Sequence, residues 1–531
     1  MFELGAYPYS AWVLLGLGIY MLIMVGIGWW CSTRVKTASD YIVAGRRLPF
    51  FYATGTLFAT WFCAGTLMGG TANAYLFGNQ GVIFDPWGAA LCLVLTGLLF
   101  ARMMRRGGYM TLVDFFEIRY GRAMGLLSTI VLVIAEIGWV GAQLVAFGTI
   151  IQIFSGLPLA YGIIISCLVL ILYTYMGGMW SVTLTDVVQM VILTAGVVLL
   201  FPSVISRVGG WEGFVGAASN WAGLPAFSMV VDPEVGYLGY TGAVGWMYYI
   251  AAWLALGFGS IPAQDLMQRV LSAKDEKVAV HSSYAAGVLY IVVGMLPALM
   301  GIAMFQINPE LTIADTEMIL PWLAMNYLPP ALTVVFVAGM VAALMSSSDS
   351  ALLAVASVVG YNGVRYFKPN ASEQEKLAVT RLMVPVAAVV SVLLALYAAT
   401  IYKLMVIAWS VLLVGLFAPY AAGYFWKKAN RSGALAALIG GFLVWIASIY
   451  YYLPGTMEAN TGVVEEGVVY MDWAVWDAVY IGSVPGFIAS VVLLVVVSLV
   501  TQKKDPPMAL RDMDGNLLPL KKWLGFGFDA E

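Results

Sequence analysis

Apolar runs of about bilayer length recur along almost the whole chain, separated by short polar connections. Read with a window of about 19 residues, thirteen spans emerge, near 11–31, 50–77, 80–102, 123–152, 157–177, 184–205, 241–260, 279–305, 331–362, 378–400, 402–425, 433–453 and 478–501. Crossing the hydrocarbon as a helix takes about 20 apolar residues, and the alternating strand pattern of a membrane barrel is missing. The pattern predicts an all-α polytopic membrane protein. The first run, Ala11 to Cys31, follows Glu3 and has no basic leader, so it reads as a spanning helix rather than a signal peptide. The two long connections, 206–240 and 454–477, carry Trp211, Trp221, Trp473 and Trp476 as interfacial anchors, and each is expected to hold a short surface helix.

Two spans break their own pattern. In LFATWFCAGTLMGG (57–70) Gly65, Gly69 and Gly70 stand beside Thr60 and Thr66, and in LALGFGSIPAQD (254–265) Gly257, Gly259, Ser260 and Pro262 interrupt the run. Unwound backbone inside a bilayer is tolerated only where it faces protein or a wet cavity. The breaks begin two successive sets of five spans, the arrangement expected of a transporter built from inverted repeats with its site at the midplane. Glycines that merely let helices pack closely are the alternative for either break taken singly.

A third anomaly is ALMSSSDS, Ala343–Ser350, inside an apolar stretch. Four hydroxyls and a carboxylate are costly to place in a bilayer and are more readily kept for binding than for folding. On a helix, Ala343, Ser346, Ser347 and Ser350 share one face, with Asp349 on its flank. That face, set against free carbonyls of the broken second span, suits a hard monovalent cation, which wants several oxygens and little charge. Hydroxyls bonded back to the preceding turn are the structural alternative. Asp186, close to Thr183 and Thr185, reads equally well as a further cation ligand or as a helix cap.

Composition sharpens the class: 62% of the 531 residues are hydrophobic and 10% are charged. The formal charge of −3 says little about partners. Cytoplasmic loops gather Lys and Arg, and with the N-terminus outside, all 26 basic residues except Arg207 and Lys403 fall on the inner side. An outer N-terminus and a cytoplasmic C-terminus are therefore expected. Cys31, Cys63, Cys92 and Cys167 show no metal or disulfide spacing. One histidine, no HExxH and no clustered thiols leave no catalytic constellation, so neither an enzyme nor a cofactor is expected.

Beside the breaks, Trp61, Phe62, Gly65, Thr66, Trp87, Trp139, Gln143, Gly259 and Ser260 are candidate solute contacts. The acids Asp85, Glu136 and Asp265 stand against Arg269 as the one base near the core, which favours a cationic or zwitterionic solute over an anion.

The strings GGMWS (177–181) followed by Thr185 and Asp186, ALMSSSDS, QRVLSAKD (268–275) and KKANRSGALAALIGG (427–441) resemble the sodium:solute symporter family over essentially all thirteen spans. The resemblance implies the LeuT-like fold of inverted five-helix repeats, here 50–205 and 241–425, with an extra helix at 11–31, two more in 433–501 and a cytoplasmic tail at 502–531. It implies sodium as coupling ion. A first sodium site would use Ala59, Phe62, Ala343, Ser346 and Ser347, and a second would use Asp186, Ser346, Asp349 and Ser350. Serine is commoner at the position of Asp349. ATW (59–61), GGTANA (69–74), TEMILP (316–321) and SSSDS (346–350) resemble the high-affinity choline transporter branch most. Trp61 and Trp139 match aromatics of that branch's cage, whereas Leu91 and Ala263 stand where two others belong. The expected partners are a small organic solute, sodium and the bilayer of the plasma membrane, with no nucleic acid and no obligatory protein. A transporter-like membrane sensor that binds solute without accumulating it is the alternative.

Overall fold

Helices make up nearly all of the structure, a computed structural model that describes residues 7–219, 225–232, 234–398, 401–460, 464–465, 468–469, 471–519 and 524–525. In chain order, the segments used below are α1 (Ser10–Ser32), α2 (Phe50–Trp61), α3 (Gly70–Phe77), α4 (Arg122–Ser155), α5 (Leu159–Arg207), α6 (Gly242–Gly257), α7 (Gln264–Ser272), α8 (Glu276–Ile307), α9 (Pro330–Ala356), α10 (Glu373–Ala398), α11 (Ile401–Leu412), α12 (Arg431–Asn460) and α13 (Met471–Thr501). Among the described residues, 10 helices are long and apolar enough to cross a membrane, and α6 is a shorter apolar helix.

With 49 residues, α5 would be about 74 Å long as one rod, far more than a hydrocarbon core of about 30 Å. It turns at Gly178, where φ is 52° and ψ −146°. A Cβ there would lie 2.4 Å from the Tyr41 ring and 2.6 Å from the Tyr41 carbonyl oxygen, so only glycine fits. The turn separates two segments at the boundary between the apolar runs 157–177 and 184–205.

Both expected interruptions are present. α2 stops at Trp61 because Phe62, at φ −79° and ψ 83°, leaves the helical region. The chain resumes in wide π-type turns at Gly65–Gly69 and continues as α3. Likewise α6 ends at Gly257, and a turn closed by the Ile261 amide on the Phe258 carbonyl (3.1 Å) and the Ala263 amide on the Ser260 carbonyl (3.2 Å) leads into α7. A further irregularity, absent from the hydrophobic pattern, falls at Asp85 (φ −145°, ψ 117°). Proline at the next position disfavours helical backbone there.

The polar stretch of α9 lies deep inside. α9 packs on α4 and α5, and α1 packs on α5. Residues Ser346 to Ser350 are all buried. Outward-facing Trp12, Leu22, Val292, Leu443 and Val500 are exposed, a surface suited to lipid. All four cysteines are free and buried.

The connection 206–240 contains a short helix, Gly210–Ala218, as expected. In 454–477 the described residues differ from expectation: α12 runs on to Asn460 and α13 starts at Met471, with a small antiparallel strand pair, Val464–Glu465 and Val468–Val469, between them. Side-by-side packing of α12 and α13 carries both helices past their apolar runs. Trp211 is exposed; Trp221 and the side chain of Trp473 lie outside the described residues. The tail docks on the helical body, with the Met513 amide donating to the Gly107 carbonyl (3.1 Å) and the Tyr109 hydroxyl to the Arg511 carbonyl (2.6 Å).

Candidate functional site

The end of α2 meets the serine face of α9. Helix termination at Trp61 frees the last carbonyls of α2 from intrahelical bonding. The Ser347 hydroxyl reaches two of them, donating to the Thr60 carbonyl at 2.8 Å with the Ala59 carbonyl at 3.4 Å. Beside it, the Ser346 hydroxyl donates to one Asp186 carboxylate oxygen and the Thr56 hydroxyl, one turn before Thr60 on α2, to the other. Asp186 therefore ties α2, α5 and α9 together. It lies two turns past the bend at Gly178 and caps no helix start. Ala59 and Ala343 are buried beside this junction, 4% and 2% exposed. Phe62, where α2 ends, is likewise buried.

The other group behaves differently. The Ser350 hydroxyl donates back to the Ser346 carbonyl (2.5 Å) and approaches Asp349 (3.2 Å), while its oxygen accepts from the Arg269 guanidinium. Oδ2 of the fully buried Asp349 has no partner. Ser348 also bonds back, to the Leu344 carbonyl at 2.6 Å, and points off the shared face. Arg269 is fully buried, donates to the Asp265 carbonyl (2.8 Å), and exerts its charge on Asp186, Asp265, Glu136 and Asp349. Four ionised carboxylates and one guanidinium would leave a local charge of −3, which low dielectric makes costly unless cations or protons join them.

Around the α2 break, three tryptophans cluster. Ring centroids are 6.4 Å apart for Trp61 and Trp139, 5.1 Å for Trp61 and Trp409, and 5.0 Å for Trp139 and Trp409. All three indole N–H groups are buried without a partner. Gln143 secures the break, accepting from the Ala64 amide (3.1 Å) and donating to the Cys63 sulfur (3.5 Å). A Cβ on Gly65 would lie 2.3 Å from the Met405 terminal methyl and 3.1 Å from Asp85 Oδ2, so an added side chain would have to push the flexible end of Met405 aside. Thr66 donates toward Asp85 (3.0 Å) and contacts the Tyr290 hydroxyl. At the second break, a Cβ on Gly259 would lie 2.6 Å from the Trp409 carbonyl, and the Ser260 hydroxyl bonds back to the Leu256 carbonyl. The two breaks thus converge on α11. Trp87 stands apart from the cluster, its N–H donating to Asn79 (3.1 Å).

Sequence reasoning missed Thr56, Tyr290, Met405 and Trp409. Each is an unremarkable residue in an apolar run, and only the fold brings it to the breaks. Tyr173, whose hydroxyl donates to the Met345 carbonyl (3.0 Å), is another.

Known proteins provide an independent comparison. The model of the sodium:solute symporter family matches residues 41–441. The chain is 32% identical over 439 residues to high-affinity choline transporter 1 of Drosophila melanogaster, covering 79% of this chain and 68% of that protein. It is 27% identical over 508 residues to the osmoregulated proline transporter OpuE of Bacillus subtilis (92% and 95%). The solved structure of a Na+-coupled sialic acid symporter superposes with a TM-score of 0.74 at 22% identity, covering 92% of this chain and 98% of that one, and shares the fold. The extent of the family match, together with a relative of 32% identity, establishes that this chain belongs to the sodium:solute symporter family.

Proposed function

We propose that this protein is a sodium-coupled symporter that imports a small cationic or zwitterionic organic solute by alternating access. The observation that carries the reading is the junction of Ser346 and Ser347 with Asp186 and the α2 carbonyls, an oxygen-rich patch inside a helix bundle. The first sodium site comprises Ala59, Phe62, Ala343, Ser346 and Ser347. A second comprises Asp186, Ser346, Asp349 and Ser350, and Arg269 must leave Ser350 before a cation can use it. Sodium at the first site fixes α2 against α9, and solute then binds where the two breaks meet α11. Closure of the outer side and rocking of one bundle against the other release both inward. The coupling is reciprocal: sodium raises solute affinity by the factor that solute raises sodium affinity.

The architecture that goes with this reading has thirteen spans: repeats at 50–205 and 241–425, the helix at 11–31 before them, two helices within 433–501 and a cytoplasmic tail at 502–531. The bend at Gly178 supports it by dividing α5 into two spans. The N-terminus lies outside the plasma membrane, as the distribution of basic residues supports.

The solute contacts are Trp61, Gly65, Thr66, Trp139, Gln143, Gly259 and Ser260, with Trp409 added and Trp87 peripheral. The names of the relatives, choline and proline transporters, point to amines. Three indoles in one cluster favour a cation, drawn to ring faces. The test is uptake into proteoliposomes under an imposed sodium gradient, with labelled quaternary amines and amino acids offered in turn. Sodium-driven uptake that Ser346→Ala and Asp186→Ala abolish is expected. Uptake with unchanged sodium dependence in both variants contradicts the proposal.

A further inference from the structure

We infer that Asp85 is the counter-ion of the transported solute, and that this solute presents a protonated nitrogen bearing at least one N–H rather than a quaternary ammonium. The inference rests on the symporter reading above and narrows its substrate class.

Asp85 leaves the helical conformation, and its carboxylate meets the α2 break at Gly65 and Thr66. It is 5% exposed. Among the described residues, no lysine, arginine or histidine forms an ion pair with it. Only neutral hydroxyls approach its oxygens: Tyr290 at 2.8 Å on Oδ1 and Thr66 at 3.0 Å on Oδ2. A buried carboxylate without a counter-charge is costly.

Counting hydrogens identifies what is missing. The Trp61 carbonyl, freed by the end of α2, also draws on Tyr290 (2.8 Å) and Thr66 (3.3 Å). Each hydroxyl has one hydrogen to give. Two hydrogens therefore serve four acceptors, namely the Trp61 carbonyl, both carboxylate oxygens and, in the Thr66–Tyr290 contact, one of the two hydroxyl oxygens themselves. The group that would complete the set carries positive charge and donates a hydrogen bond. A quaternary ammonium supplies the charge but not the donor. An N–H ammonium supplies both, and a charge-assisted bond is about twice as strong as a neutral one.

The location suits a solute. An atom added at Gly65 would meet both Asp85 Oδ2 and the flexible end of Met405, which lies one helical turn from Trp409 on α11. The apolar body of an amine would displace the Met405 methyl and rest against the indoles while its nitrogen faces Asp85.

The test compares matched probes in which methyl replaces every N–H, dimethylaminoethanol against choline (one methyl) and proline against N,N-dimethylproline (two methyls). Binding is read as the thermal shift of the purified full chain in saturating sodium. The N–H member of at least one pair should bind more tightly. Asp85→Asn, which keeps an acceptor for Tyr290, should weaken that member by about 30-fold or more and abolish the preference while leaving the sodium-induced shift intact. Asp85→Glu serves as the second variant and should retain the preference. Equal or tighter binding of the methylated probes, no binding by either N–H probe, or an Asp85→Asn protein that keeps the preference overturns the inference. Loss of the sodium shift in the unmutated protein would instead count against the symporter reading itself.

Discussion

Ser346 on α9 donates a hydrogen bond to Asp186 on α5, joining residues 160 positions apart in the chain inside the bundle. Thr56 on α2 holds the other carboxylate oxygen. Three helices, α2, α5 and α9, are thus tied at one carboxylate.

Asp186→Asn keeps the shape of this junction and removes its charge. Hydrogen bonds to charged groups contribute about 1.5–3 kcal/mol, so sodium affinity should fall by roughly 10- to 150-fold. Isothermal titration of sodium into the purified protein checks this.

Ser347 and Ser348 are neighbours with opposite assignments. Ser347 faces the Ala59 and Thr60 carbonyls, whereas Ser348 bonds within its own helix. Ser347→Ala should lower sodium affinity by about tenfold or more, and Ser348→Ala should change it by less than about twofold. Sodium-dependent thermal shifts of the two variants distinguish these outcomes.

Among the described residues, Arg269 is the base whose charge reaches Asp186, Asp265, Glu136 and Asp349 together. Arg269→Gln removes that positive charge and should destabilise the protein by about 3–5 kcal/mol. Asp265→Asn in the same chain should recover part of the loss, which melting in detergent would detect.

The two break glycines should respond differently to alanine. At Gly65 the nearest obstacle is the flexible end of Met405, so Gly65→Ala should lose solute binding and Met405→Ala should restore part of it. At Gly259 the obstacles include the Ala255 and Trp409 carbonyls, 2.3 and 2.6 Å from an added Cβ, and no side-chain truncation relieves them. Gly259→Ala should therefore remain inactive in every Met405 background, as measured by uptake.

Much of this was legible in the sequence because hydrophobic length and glycine placement are local signals. The apolar runs predicted the helices, and Gly65, Gly259 and Pro262 marked both interruptions. The serine face could be read because helical spacing alone aligns Ser346, Ser347 and Ser350. The partners of these residues could not be read, since Thr56, Tyr290 and Trp409 reach the site through helix packing that no periodicity encodes. Asp85 was visible as an acid near the core, but its position against Gly65 depends on the irregular backbone before Pro86. The link from Arg269 to Ser350 is likewise tertiary, and it sets Ser350 apart from Ser346 and Ser347.

Equilibrium binding of labelled sodium to the purified protein tests the central claim most directly. The unmutated protein should bind sodium saturably, in preference to potassium, and Ser346→Ala combined with Ser347→Ala should abolish that binding while the protein remains folded. Undiminished saturable sodium binding in the doubly substituted protein would contradict the account.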